Sequence, residues 1–347
     1  MIRFFTIMNL SHTRLLRAPL AFALLLIFFA VGVPAQQPDE VIKTDTSLVQ
    51  LNVGVVDRQG HAVTTLSRND CMVYEYGVLR PIASFESTEA PFSLVLLLDS
   101  SGSTLGFRKQ IQQAAIRFLD ALSPDDRVAV VQFSGKGVKS VYGFGTDRGR
   151  AAYAIMLAVT TGAGETPLYD ALRFSLRELA HEGKRRKAIV VLTDGLDTEV
   201  RKLDRAAVQK VSDAEVSTAI KPEANSLLNS VLNDADGQGA AIFPLALPSG
   251  DPKRLPLPDP LITAMYSAAR TRIQLLADRT GGRLHEIHRL DDLAGLYALV
   301  AADLRALYSI AYRPTNPSQH DGRWRAIRVE VARADLVATT KTGYYAR

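Results

Sequence analysis

Ser93-Leu94-Val95-Leu96-Leu97-Leu98-Asp99-Ser100-Ser101-Gly102-Ser103 is the stretch on which the rest of the chain turns. The run Ser93 to Leu98, apolar after its first residue and unbroken by Gly or Pro, predicts a strand buried on both faces of a parallel sheet. Polar residues begin where that strand should end. Open α/β sheets place their ligands outside the carboxyl ends of their strands, which puts Asp99, Ser101 and Ser103 in a candidate crevice. One carboxylate and two hydroxyls are hard oxygen donors, suited to Mg²⁺ or another hard divalent cation and not to zinc. The same three groups serve equally to cap a following helix, so this loop alone leaves both readings open.

Two later segments carry matching chemistry. Gly164-Glu165-Thr166-Pro167-Leu168-Tyr169-Asp170-Ala171-Leu172 is a loop running into an amphipathic helix, with a hydroxyl at Thr166. Ala188-Ile189-Val190-Val191-Leu192-Thr193-Asp194-Gly195 is a second apolar strand with a carboxylate at its end. With these three segments the chain resembles the von Willebrand factor A domain family, specifically its secreted bacterial members. In that family an Asp-x-Ser-x-Ser turn, a loop Thr and a Thr-Asp-Gly form the metal-ion-dependent adhesion site. The resemblance implies that Asp99, Ser101, Ser103, Thr166 and Asp194 hold Mg²⁺, or Mn²⁺ or Ca²⁺ in its place. It further implies a non-enzymatic adhesion module whose cation takes an Asp or Glu from a protein partner. A metal-dependent hydrolase is the alternative, with Asp197 or Glu165 as its only nearby general bases. A structural scaffold without bound metal is a third reading.

Residues 1–35 read as a signal peptide: Arg14 and Arg17 precede the apolar run Ala18 to Val33, and Val33-Pro34-Ala35 is a small-residue cleavage pattern. Export to the periplasm or the medium follows, with no membrane span in the mature chain unless the leader stays on as an anchor. Losing this leader leaves 38 basic and 36 acidic residues, so the charge balance gives no argument for nucleic-acid binding. The cluster Lys184-Arg185-Arg186-Lys187 reads as a solvated helix end. Cys71, the sole cysteine, can form no internal disulfide and is expected to be a small buried apolar residue.

Residues 40–90 alternate in strand fashion, as in Leu48 to Val56 and Met72 to Gly77, and residues 307–347 do so again in Leu307 to Tyr312 and Trp324 to Val331. Three or four strands are too few to close a sandwich alone. The two segments are therefore expected to pack together as one small β-sandwich-like domain, with two separate β modules as the alternative. Tyr312-Arg313-Pro314-Thr315-Asn316-Pro317 and Gly343-Tyr344-Tyr345 resemble tail motifs of the secreted bacterial members.

Between them, residues 91–306 alternate strand and helix, the pattern of a doubly wound, mostly parallel, Rossmann-like α/β sheet. Helices are expected over Gly106–Leu122, Arg148–Val159, Leu168–His181 and Leu290–Tyr308, with a further buried strand over Ala240–Ala246. Leu203–Ala235 is longer and more polar than one helix needs. Pro248, Pro252, Pro256, Pro258 and Pro260, following the strand's Pro244, predict an irregular surface loop over residues 247–263. His285 and His288 lack the zinc-protease spacing and fall on opposite faces of a strand. No Gly-x-Ser-x-Gly elbow or phosphate-binding Gly-x-x-x-x-Gly-Lys-Ser/Thr loop is present.

Overall fold

The computed structural model describes residues 48–158, 164–209, 211–212, 215–248, 251–252, 257, 259–289, 293–316 and 321–346. The expected leader, residues 1–35, lies outside the described residues.

Four short strands come first: β1 (Val49–Asp57), β2 (Cys71–Glu75), β3 (Val78–Arg80) and β4 (Ile82–Glu86). An α/β unit follows, with β5 (Phe92–Asp99), α1 (Arg108–Ala121), β6 (Arg127–Ser134), β7 (Gly137–Gly145), α2 (Arg148–Ala158), α3 (Leu168–Ala180) and β8 (Arg186–Thr193). It continues through α4 (Thr198–Val208), α5 (Val216–Ala219), α6 (Ser226–Gln238), β9 (Ala240–Ala246), α7 (Pro260–Thr280), β10 (His285–Glu286) and α8 (Leu293–Ala306). The chain ends in β11 (Leu307–Tyr312), β12 (Trp324–Val331), β13 (Leu336–Thr339) and β14 (Gly343–Tyr345).

The central sheet has the order β10-β9-β8-β5-β6-β7. All pairings in it are parallel except that of β7, which runs antiparallel to β6. Every residue of β5 and β8 is buried, as helices on both faces require. Leu94, Leu96 and Leu98 join the cluster of Phe118, Ile155 and Tyr297 from α1, α2 and α8. Val95 and Leu97 join Leu172, Val200, Leu228 and Ile273 from α3, α4, α6 and α7. This is the doubly wound α/β arrangement. The chain winds outward in opposite directions from the β5/β8 pair, so the carboxyl ends of those two strands form the switch-point crevice.

The outer strands form two antiparallel sheets, β13-β1-β11-β4 and β14-β12-β2-β3. β1 pairs with β11 from Val49↔Tyr312 to Gly54↔Leu307, so the first and last segments share a sheet. Leu51, Val53, Val73, Ile310, Ile327 and Val329, from both sheets, join one apolar cluster. Both tail motifs converge on the buried Glu75 carboxylate, which accepts hydrogen bonds from Thr315 N (2.8 Å), the Tyr312 hydroxyl (3.3 Å) and the Tyr344 hydroxyl (3.0 Å). Burial pushes that carboxyl up, but these bonds and Arg325 outweigh it and hold the group below its usual range. Cys71 lies in the same core, and burial, then the charge of Asp70, push its thiol up to about 11. In native buffer at pH 8 a maleimide is expected to label it far more slowly than in urea; equal rates would mean the sandwich opens freely.

Arg186 is the largest departure from the sequence reading, which placed it on a solvated helix end. It is the first residue of β8 and 4% exposed. The register sets it opposite Phe92, and its guanidinium lies 3.9 Å from the centre of that ring. Its Nη1 donates to the carbonyls of Ser87 (3.2 Å), Thr88 (2.9 Å) and Ala90 (2.9 Å), on the segment leading from β4 into β5. Its Nη2 donates to Leu304 (2.9 Å) and Leu307, where α8 gives way to β11. One side chain thus holds both places where the chain crosses between the sandwich and the α/β unit. Of the basic cluster, only Lys184 is exposed.

The loop expected over residues 247–263 ends earlier than the prolines suggest. α7, the longest helix among the described residues, starts at Pro260. Pro at the first helical position loses no hydrogen bond, and Asp259 caps the helix by accepting from Leu261 N (2.7 Å). The polar stretch after Leu203 is the end of α4 followed by α5 and α6.

Candidate metal centre

β5 and β8 pair through Leu98↔Leu192, which sets Asp99 beside Thr193 and ahead of Asp194. The Thr193 hydroxyl donates to Asp99 Oδ2 (3.2 Å), and Ser101 N donates to Asp99 Oδ1 (2.9 Å). Asp99 and Asp194 are each 1% exposed, and Ser101 has no exposed surface. Burial and then the charge of Asp194 push the Asp99 carboxyl up to about 7, against the hydrogen bonds from Ser101 and Thr193. The turn after Asp194 requires Gly195: its φ is +82°, and a Cβ there would meet Ile273 at 3.2 Å.

Gly102 opens the short 3₁₀ turn Gly102–Phe107, and a Cβ on it would lie 4.0 Å from the backbone of Gly164. The Thr166 loop therefore runs alongside the Asp99 turn. Thr104 closes that turn by donating to the carbonyls of Asp99 (3.1 Å) and Ser101 (3.0 Å). Thr166 is tied to the other side of the crevice: its N–H donates to the Thr198 hydroxyl (2.9 Å), and its carbonyl accepts from Thr198 N (3.1 Å). The structure thus brings the segments bearing Asp99, Ser101, Asp194 and Thr166 to one rim. Ser103 lies in the 3₁₀ turn, but its side chain is outside the described residues. The accessible side of this rim is formed by Gly102 and Thr166, both half-buried, and by the exposed Leu105, Gly164 and Glu165.

The donor chemistry fits a hard divalent cation. Burial and the neighbouring Asp194 charge make the Asp99 carboxylate costly to ionise, and a positive charge beside it relieves that cost. Among the described residues no group of three or more His, Cys, Asp or Glu gathers to hold a metal, at this rim or elsewhere, so the hydroxyls would have to complete the set. His285 is turned to Asp303 Oδ2 (3.0 Å), and His288 is exposed.

Three further residues matter at this rim. Thr193, inside the motif but not read as a participant, orients Asp99; a polar residue closing an apolar strand beside a carboxylate was the available signal. Thr198 was missed, since its contact lies 32 positions away. Asp197, read by default as an exposed loop residue, is 5% exposed. It caps α4, accepting from Val200 N (3.0 Å) and Tyr169 N (3.3 Å). An Asp directly before a helical run carries that signal.

Residues 94–196 match the profile of the von Willebrand factor type A domain, and this segment of the chain is a domain of that family. Among solved structures the chain is similar to a von Willebrand factor type A protein from Catenulispora acidiphila, at 14% identity and TM-score 0.45 over 88% of this chain and 64% of that one. It is also similar to the vWF domain of a type V pili tip protein from Porphyromonas gingivalis, at 13% identity and TM-score 0.44 over 61% and 94%. A third is proximal thread matrix protein 1 of the mussel byssus, described with a zinc occupied MIDAS motif, at 15% identity and TM-score 0.44 over 66% and 49%. No curated protein matches the sequence significantly. Among the described residues no helix is long and apolar enough to cross a membrane.

Proposed function

We propose that the chain is an exported, metal-dependent protein-binding module whose ligand set is Asp99, Ser101, Ser103, Thr166 and Asp194. The observation that carries this reading is the burial of the Asp99 and Asp194 carboxylates side by side, with the Thr166 loop fastened next to them. Mg²⁺ suits this oxygen set, as do Mn²⁺ and Ca²⁺. When bound, such an ion supplies a positive centre that attracts an Asp or Glu of a partner protein. The chain's own residues hold the site in shape: Thr193 and Ser101 fix the Asp99 carboxylate, and Thr104 closes the turn. Partners approach over Leu105 and Glu165. Export to the periplasm or the medium rests on the leader-like residues 1–35.

The hydrolase reading has less support. Asp197 has both oxygens engaged by backbone N–H groups, and Glu165 is an exposed residue 4.0 Å from Lys202. The test is calorimetric titration with Mn²⁺, followed by capture of envelope proteins with and without chelator. The expected dissociation constant is about 1 mM or tighter, with captured proteins released by chelator. No heat of binding at several millimolar Mn²⁺ would overturn the reading.

A further inference from the structure

We infer that Thr198 is a positioning residue for the proposed ligand Thr166, an assignment that rests on the metal-binding reading above. Thr166 stands one residue ahead of Pro167, the cap of α3, and Gly164, two residues before Thr166, has φ +87°. A loop entered through such a glycine has little of its own to fix a hydroxyl. Both backbone groups of Thr166 are nevertheless held by one partner. Its N–H reaches the Thr198 side chain (2.9 Å), and its carbonyl takes the Thr198 N–H (3.1 Å).

Thr198 is itself held in place. It is the first residue of α4, immediately after the capping Asp197, whose carboxylate also accepts from the start of α3 at Tyr169 N. Only four positions separate Asp194 from Thr198, and Asp194 is fastened to the intervening segment by Leu196 N (3.0 Å). The separation of the Thr166 and Asp194 segments is therefore set through Thr198. The exposed Glu165–Lys202 contact, at 4.0 Å with both side chains more than half exposed, adds little to this fastening.

Thr198 meets Thr166 through the backbone groups of Thr166, so deleting the Thr198 hydroxyl should act on cation affinity through Thr166. In the full chain, Thr198→Val is expected to weaken Mn²⁺ binding about tenfold by titration calorimetry. The melting temperature of the cation-free protein should fall by no more than a few degrees. Thr198→Ser, which keeps the hydroxyl, is expected to bind within about twofold of the parent. Should the valine variant fail to fold, Thr198→Ala removes the same acceptor and carries the same expectation. Equal affinity in parent and hydroxyl-less variant, or equal losses in the serine and valine variants, would overturn the assignment. Absence of Mn²⁺ binding to the parent would instead remove the metal-binding reading on which it stands.

Discussion

Arg186→Met is expected to destabilise the protein by about 3–5 kcal/mol in urea denaturation. Methionine fills much of the same space but donates nothing, and the carbonyls of Thr88, Leu304 and Leu307 sit in buried surroundings where water does not readily replace the guanidinium. Burial pulls the pKa of Arg186 down to about 10 despite the opposing Asp126 and Glu86, which leaves it charged at neutral pH. Its hydrogen bonds are therefore charge-assisted, and roughly twice as strong as neutral ones. Arg186→Lys keeps the charge without the planar fork and should recover only part of the loss. The methionine variant should also give separate transitions for the sandwich, followed by Cys71 labelling, and for the α/β unit, followed by far-UV dichroism. A loss under about 1 kcal/mol, with both probes still coincident, would show that the two crossings are held by other contacts.

The second large effect concerns Asp99 and has opposite signs with and without a cation. Its carboxyl is raised to about 7 in the native state and lies at 3.8 without the fold, so the native state binds the proton more tightly. Stability from this group is fully present below about pH 4 and is lost as pH rises through about 7, on the order of 4 kcal/mol if the whole shift is expressed. In chelator, the melting temperature should therefore fall across that window. Asp99→Asn cannot ionise and should flatten the slope, so that at pH 8 without cation the variant outlasts the parent. Adding Mn²⁺ should stabilise the parent and leave the variant unchanged, which reverses their order. A parent curve rising with pH in chelator, or an asparagine variant that gains stability from Mn²⁺, would contradict this account.

The sheet and its rim were legible because burial leaves a plain mark on a strand. The apolar runs ending at Asp99 and Asp194 have no polar residue to spare for solvent until their carboxyl ends. The outer strands were legible through their alternation, which holds in β2, where Cys71 and Val73 turn inward. Arg186 was not legible, because four consecutive basic residues look alike until a partner strand fixes which one faces Phe92. α7 was hidden by the prolines before it, since the same residue that breaks a helix interior also begins one, and only the cap on Asp259 separates the two cases. Thr198 was invisible for a different reason: its contact runs from the first residue of α4 to a loop, and no periodicity links the two.

The pairing of β4 with β11 gives the architecture a simple topological meaning. Glu86 lies across from Ser309 in an antiparallel ladder, so the whole run from Ser87 to Ala306 occupies the place of a hairpin turn. Closing so long a loop costs about 3–4 kcal/mol more entropy than closing a turn of a few residues, since the cost grows only with the logarithm of length. A bridge of a few residues from Glu86 to Leu307 would leave the ladder its natural connection and keep all of β11. The excised host and the transplanted guest then become separately tractable objects, and the guest's two ends lie close enough together to be grafted onto the turn of another hairpin.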